Sequence, residues 1–351
     1  MEKTKSLRDV SWQVDETTYR KDKALSYSTL SKYEREGFSK LDSLFDHVST
    51  PSLTLGSCVD AWITGGYEEF EERFLVASYP KLSDNLQAIA GALYRDYGKD
   101  YASLLDIPDE LVSSVAKTAG FWAADKWDRI RPRKVKEEEG CAEYYRLMRE
   151  AGGRTVIDGD TFNDVKNMVS RLKDSEATSW YFAPDNPFEP GLERLYQLKF
   201  KANLKGVDYR CMADLIVVDY DHKVITPCDL KTTGKPEYEF FHSFDTYNYH
   251  IQARLYWRII RHVMDGDDYF RDFELGNYKF IVVNRTNLDP MVWSFPDTKA
   301  YGTLSYGKEG KFVFRDPFEI GKELDGYLAE RPKRPNGIKD DNDVVAYLNE
   351  E

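Results

Sequence analysis

Two apolar, β-branched stretches separated by four polar residues constrain this chain more than any other feature. Val207 to Asp219 and Val224 to Thr233 each read as a strand, and residues 220–223 between them read as the turn of a hairpin. Both strands carry charge: Asp214 midway along the first, and Asp229 and Lys231 near the end of the second. Residues two apart in a strand share a face, so Asp229 and Lys231 point one way while Leu230 points into the packing layer. Asp214 is flanked by Ala213 and by Leu215 to Val218, and a carboxylate in such a run is costly to bury unless it is paired or binds a cation. Two readings follow. One is a metal-and-lysine site suited to phosphodiester hydrolysis; the other is a structural ion pair between Asp214 and Lys231. The same Asp-x-Lys triplet at Asp164, Asp221 and Asp297 falls in helix, turn or loop settings, where it is a solvated charge pair.

Two more segments belong with the hairpin. Downstream, Tyr249 to Ile260 has helical periodicity, with Gln252 and Tyr256 four apart on one face. Upstream, Leu55 to Thr64 places Asp60 one turn after Gly56 in an otherwise apolar helix pattern. In chain order the motifs are Gly-Ser-x-x-Asp, a strand Asp, Asp-x-Lys, and Gln-x-x-x-Tyr. This order resembles the RecB-type branch of the PD-(D/E)XK nuclease superfamily, and within it the RecE-like, exonuclease VIII type phage nucleases. Leu25 to Tyr33 is similar to the opening helix of those enzymes, and Phe70 to Ala77 resembles the strand that follows their Gly-x-x-x-His helix. The resemblance spans about residues 24–80 and 190–296.

The resemblance implies an α/β (α+β) restriction-endonuclease-like core, a mixed central sheet flanked by helices, with a large helical insertion. The segments it suggests are an N-terminal extension at 1–23, the first part of the nuclease domain at 24–80, a mostly helical insertion at 81–189, and the nuclease core at 190–351. It makes Asp214 and Asp229 metal ligands, Asp60 a third, and the Leu230 carbonyl a fourth. Lys231 then positions and helps deprotonate the attacking water, or stabilises developing charge. Gln252 orients Lys231 or the water, and Tyr256 touches the nucleic-acid backbone or braces its helix. Thr232 and Arg210 are further candidates for DNA contact, and Glu193 is a candidate outer ligand or a surface carboxylate. The cofactor is Mg²⁺ or Mn²⁺, two ions by the resemblance, since a pair clamps attacking and leaving oxygens alike. At the Asp60 position these exonucleases commonly carry a histidine. Aspartate is a hard oxygen ligand suited to the same ions.

The implied activity is that of a metal-dependent exodeoxyribonuclease acting on double-stranded DNA ends in recombination, replication or DNA degradation. An endonuclease with the same core, and a catalytically silent nuclease fold serving as a DNA-binding or virion protein, are the alternatives. The expected partner is DNA, with a homo-oligomer and a single-strand annealing or other recombination protein also open.

Composition bounds these readings. The 351 residues are 41% hydrophobic and 14% aromatic, enough for one large or two modest cores. Without an 18-residue apolar run or a secretory leader pattern, a cytoplasmic protein without membrane contact is expected, in the host cytoplasm if phage-encoded. Cys58, Cys141, Cys211 and Cys228 are too widely spaced for a disulfide framework or a zinc ribbon, although Cys211 and Cys228 are candidate cross-strand neighbours. The net charge of −12 counts against a simple DNA-binding module but is compatible with an enzyme that confines its basic residues to a channel. Lys126 to Lys136, and Lys199, Lys201, Lys205 and Arg210, are the clusters that such a channel would draw on. Helices are expected over 24–64, 83–173 and 237–265, a short strand at 70–77, a strand pair at 278–284 and 291–295, and a helix near Phe318 to Leu328.

Overall fold

The computed structural model describes residues 5–37, 41, 43–45, 50–78, 82–118, 131–184 and 191–330. Contacts divide the chain into a helical unit, residues 49–169, and a sheet unit, residues 1–48 and 170–351. The sheet unit opens with α1 (Glu16–Lys21) and α2 (Tyr27–Glu36). The Ser26 hydroxyl caps α2 by accepting from the Thr29 N–H, and Gly37, at φ 65°, ends it.

The helical unit contains α3 (Pro51–Arg73), β1 (Phe74–Val76), α4 (Asp84–Tyr97), α5 (Asp109–Thr118), α6 (Arg131–Glu137), α7 (Glu139–Ala151) and β2 (Thr155–Ile157), and the chain leaves it through α8 (Gly159–Asp174). β1 and β2 pair in parallel. Leu86, Ile89 and Leu93 of α4 pack with Val112 of α5 and Tyr145 of α7 in its core. The strand expected at 70–77 is shorter than its sequence suggests. After a break at Gly66, at φ 82°, the helix resumes to Arg73, with the Glu69–Arg73 pair one turn apart and Phe70 packing back on Trp62, so only 74–76 are extended.

The sheet unit resumes with α9 (Ser179–Phe182), β3 (Leu192–Leu204), β4 (Val207–Asp219), β5 (Val224–Thr233), α10 (Phe240–Thr246), α11 (Tyr249–Asp265), β6 (Glu274–Leu275), β7 (Lys279–Asn284), β8 (Pro290–Ser294), β9 (Leu304–Tyr306), β10 (Phe312–Phe314) and α12 (Pro317–Glu330). The fold class is the expected one, a mixed central sheet flanked by helices. Its order is β3-β4-β5-β7-β8, with β5 and β7 parallel, β6 also parallel to β5, and the other neighbours antiparallel. Lys205 and Gly206, at φ 55° and 89°, make the two-residue turn between β3 and β4 whose twist matches that of the strands. The parallel step from β5 to β7 requires a crossover, and α10 and α11 provide it.

Helix α11 decides how this unit packs. Its apolar residues Ile251, Leu255 and Ile259 share a core with Phe200, Ile216, Val218, Phe280 and Val282 from the sheet. On another side, the fully buried Arg254 donates to the carbonyls of Ala300, Gly302 and Arg315 and pairs with Asp316 at 3.0 Å, tying the C-terminal segments to the helix. His250, buried one turn earlier, stacks on Phe314 with ring centroids 4.3 Å apart and planes at 9°. The strand pair β7–β8, the two crossover helices and α12 fall where sequence periodicity put them. All four cysteines are free and buried. Cys211 and Cys228 are not cross-strand neighbours: Cys211 opposes Phe200 and Cys228 opposes Leu215. Among the described residues no helix is long and apolar enough to cross a membrane.

His250 makes the fold acid-sensitive. Burial, with the nearby Arg254 charge adding to it, pushes the imidazole down to about 3 from an ordinary 6.5. The folded state holds the ring neutral while the unfolded chain takes up a proton, so this contribution is complete above pH 6.5 and is lost as pH falls toward 3. Melts of the parent protein should therefore lose up to ~1.4 kcal/mol per pH unit across that window. The variant His250→Phe should show a flatter slope there. Equal slopes in the two proteins would remove His250 from the acid response.

Candidate active site

The site residues of the sheet unit gather where β4 and β5 part. The β4–β5 ladder runs from Asp219↔Val224 to Leu215↔Cys228 and stops. Further along the same edge of β4, Leu25 forms a bridge with Tyr209, leaving a notch between the two pairings. Asp214 lies in this notch. Opposite it on β3, Gln197 takes φ 54°, and the residues facing α11 change parity in both strands, from Leu198 and Ala213 to Leu195 and Ile216. Instead of a continued ladder, the Asp214 carboxylate accepts the Leu230 N–H at 2.9 Å. In an extended strand a residue's N–H and C=O point to one side, so the Leu230 carbonyl shares that edge.

Asp229 and Lys231 face α11, as their two-residue spacing requires. Asp229 is only 2% exposed. Its Oδ1 accepts from the Gln252 amide on α11, and its Oδ2 is 2.5 Å from the Lys231 ammonium. That approach is an ion pair but lacks hydrogen-bond angles, so Oδ2 remains buried without a directed donor. The ammonium pairs with this carboxylate by charge, and Oδ2 accepts from no other donor. The structure thus pairs Lys231 with Asp229, not with Asp214. Burial alone would lower the Lys231 pKa, but Asp229 above all, then Tyr249, Tyr27 and Asp214, reverse this and leave it raised. The ammonium also lies 4.7 Å from the centroid of the Tyr249 ring.

The donor set fits a hard divalent cation. Two carboxylates and one carbonyl, with one carboxylate oxygen lacking a donor, are oxygen ligands of the kind that hold Mg²⁺ while it keeps several waters. Among the described residues, no group of three His, Cys, Asp or Glu side chains is placed to hold a metal. Asp60 lies half-buried on α3 in the helical unit, where its carbonyl accepts from the Thr64 hydroxyl.

Several sequence-based assignments need correction. Arg210 does not present itself to DNA: it is 7% exposed, donates to the Ala24 and Tyr19 carbonyls, and lies 4.5 Å from the Tyr19 ring centroid. Tyr256 is buried edge-on against Tyr278, so of its two expected roles the bracing one is realised. Gln252 holds Asp229, not Lys231. Thr232 opposes Val283 on the strand face away from Lys231. Glu193 is neither a ligand nor a free surface carboxylate, since it accepts from the Ser6 and Tyr220 hydroxyls. Of the basic clusters, Lys201 is engaged by Asp22 at 2.7 Å, while residues 126–130 lie outside the described residues.

Sequence reasoning missed two contributors, Tyr27 and Tyr249. The Tyr27 hydroxyl donates to the Tyr247 carbonyl at 2.7 Å and fastens α2 to the start of α11, so the Tyr27 and Tyr249 rings meet near Lys231. Of the two, only Tyr249 carries a signal in the sequence, as the first residue of the helical pattern Tyr249 to Ile260.

No known protein-family pattern matches the chain, and no curated protein matches it. A crystal structure of a protein from Eubacterium rectale, provisionally named an exonuclease, aligns with 91% of this chain and 85% of its own at 11% identity, with a TM-score of 0.43.

Two outcomes test this geometry. Replacing Gln252 by Leu leaves both Asp229 oxygens without a directed donor and should reduce divalent-cation affinity about 10- to 100-fold, measured by calorimetric Mn²⁺ titration. Unchanged Mn²⁺ affinity would dismiss Gln252 as a support for Asp229. Arg210→Ala should lower the melting temperature while the remaining folded protein binds DNA as before. A selective loss of DNA affinity at unchanged stability would restore Arg210 as a contact.

Proposed function

We propose that this protein is a metal-dependent deoxyribonuclease of the PD-(D/E)XK type, acting as an exonuclease on double-stranded DNA ends. The observation that supports it most is the placement of Asp214, Asp229 and Lys231 at one break in a mixed sheet. Asp214 receives the backbone of Leu230, and Asp229 keeps a buried oxygen without a directed donor. The order of motifs along the chain supports the RecE-like branch and the preference for DNA ends. A second reading, a structural ion pair in a silent nuclease fold, draws on the close Lys231–Asp229 contact.

In the proposed mechanism Asp214, Asp229 and the Leu230 carbonyl would hold Mg²⁺ or Mn²⁺, two ions by the resemblance. Such a cation would supply positive charge to the scissile phosphate and acidify the attacking water. Lys231, as an ammonium, donates hydrogen bonds to a phosphate oxygen or to that water, where negative charge grows as the new P–O bond forms and the bond to the leaving sugar oxygen breaks. Gln252 keeps Asp229 from rotating away. The packed core around α11 fixes these groups before substrate arrives, so little reorganisation accompanies the reaction.

The test uses end-labelled linear duplex and covalently closed circular DNA with Mg²⁺ or Mn²⁺. Degradation of the linear form with the circle intact is expected, and cleavage of both at equal rates would make the enzyme an endonuclease. Lys231→Ala should slow degradation at least ~100-fold while the fold and Mn²⁺ binding persist. Asp229→Asn should lose both activity and Mn²⁺ affinity. The structural-pair reading requires that either change lower stability by stranding its partner, with no selective effect on cleavage. A folded Lys231→Ala protein that degrades DNA at the parental rate would take Lys231 out of the mechanism.

A further inference from the structure

A column of rings leads from the candidate site to solvent. At its base is Phe280 on β7, fully buried and directly opposite Asp229 in the β5–β7 register. Tyr249 stacks on Phe280 with centroids 5.5 Å apart and planes at 25°. Tyr247 stacks on Tyr249 in turn, at 5.6 Å and 30°. The column ends at Tyr247, which is 49% exposed.

The backbone that carries the outer ring is held firmly for a surface residue. The Tyr247 carbonyl accepts from both the Tyr27 hydroxyl at 2.7 Å and the Ser31 hydroxyl at 2.9 Å, and its N–H donates to the Ser243 carbonyl at 3.0 Å. The next residue, Asn248, takes the left-handed conformation at φ 54°, which turns the chain from α10 into α11 and sets the 247 and 249 rings against each other. Two cationic groups lie by the column: Lys231, 4.7 Å from the Tyr249 centroid, and Arg35, which donates to the Ser31 hydroxyl.

We propose that Tyr247 is a stacking platform for an unpaired nucleobase of the strand being cut, a positioning role that rests on the nuclease reading above. A base laid on Tyr247 would extend by one member the ring column that runs past Lys231 to the strand bearing Phe280. Every base has a π-face, so such a platform is tolerant of sequence. Because a paired base cannot leave the duplex stack without cost, the substrate class that this platform takes is a single-stranded or frayed DNA end.

The experiment titrates the full-length protein into single-stranded oligonucleotides that carry the fluorescent base 2-aminopurine at each of the last three positions of either end. Ca²⁺ replaces Mg²⁺ during binding, and cleavage of the same strands is followed in Mg²⁺. The parent should quench 2-aminopurine at one position. Tyr247→Ala should lose that quenching and bind roughly 5- to 100-fold more weakly, with KM raised and kcat little changed. Tyr247→Trp should restore both quenching and affinity, which a merely structural role for the phenol would not predict. If the parent cleaves DNA and Tyr247→Ala retains its quenching and affinity, this inference is wrong while the nuclease reading stands. If the parent neither binds nor cleaves any of these strands but degrades linear duplex, this inference is wrong while the nuclease reading stands; if linear duplex also stays intact, both are overturned.

Discussion

A carboxylate buried in a sheet sets the terms for the rest of the sheet unit. Desolvating an ion costs several kcal/mol even after relaxation, so a carboxylate at the 2% exposure of Asp229 requires partners on the same face. The two-residue period of β5 supplies one, Lys231. Helix α11 supplies the other, Gln252, and must therefore pack over that face with its polar residue in register. Ile251, Leu255 and Ile259 of α11 share an apolar core with the sheet, while the buried His250 and Arg254 serve the C-terminal segments on another side. One buried charge thus accounts for the Gln that α11 sets beside its apolar sheet-facing residues.

The break between β4 and β5 is the second requirement. A continued ladder would pair the Leu230 backbone with β4 and leave no room for a ligand. Asp214 stops it by taking the Leu230 N–H itself, and the bridge from Leu25 closes the edge again a few residues away. The notch is therefore bounded by backbone pairing on both sides. Its width is fixed by strand geometry and not by loops, which favours a preorganised site.

How far the sequence reached follows from which interactions are local. The hairpin, the shared face of Asp229 and Lys231, the crossover helices and the strand pair at β7 and β8 were all legible, because period and turn chemistry act over a few residues. The partner of Lys231 was not. Spacing shows that two groups share a face but not which of two carboxylates the ammonium reaches. Arg210 reads as a basic residue beside an active strand, yet its guanidinium is consumed by the carbonyls of Tyr19 and Ala24, nearly two hundred positions away in the chain. Tyr27 escaped notice for the same reason, since its contact with Tyr247 bridges two segments with no common pattern. The short strand at 74–76 was overextended in the sequence reading because the aromatic packing of Phe70 on Trp62 is as compatible with helix as with strand.

The fate of the cations bears on how an acidic protein could hold DNA. Arg210 and Arg254 are buried on backbone carbonyls, and Lys201 is engaged by Asp22, so the net charge of −12 understates how few of these positive groups are open to a phosphate. Affinity built from phosphate contacts scales with the number of cations engaged and falls steeply with salt. A site that engages few of them must draw its binding from elsewhere. Under the proposed role, stacking on the exposed Tyr247 ring would meet that need, because it depends less on ionic strength than phosphate contacts do and contributes ~1–3 kcal/mol per base. On the proposed reading, the net charge of −12 would keep duplex DNA from adhering broadly, and a strand end able to give up a base to Tyr247 would be held chiefly by stacking.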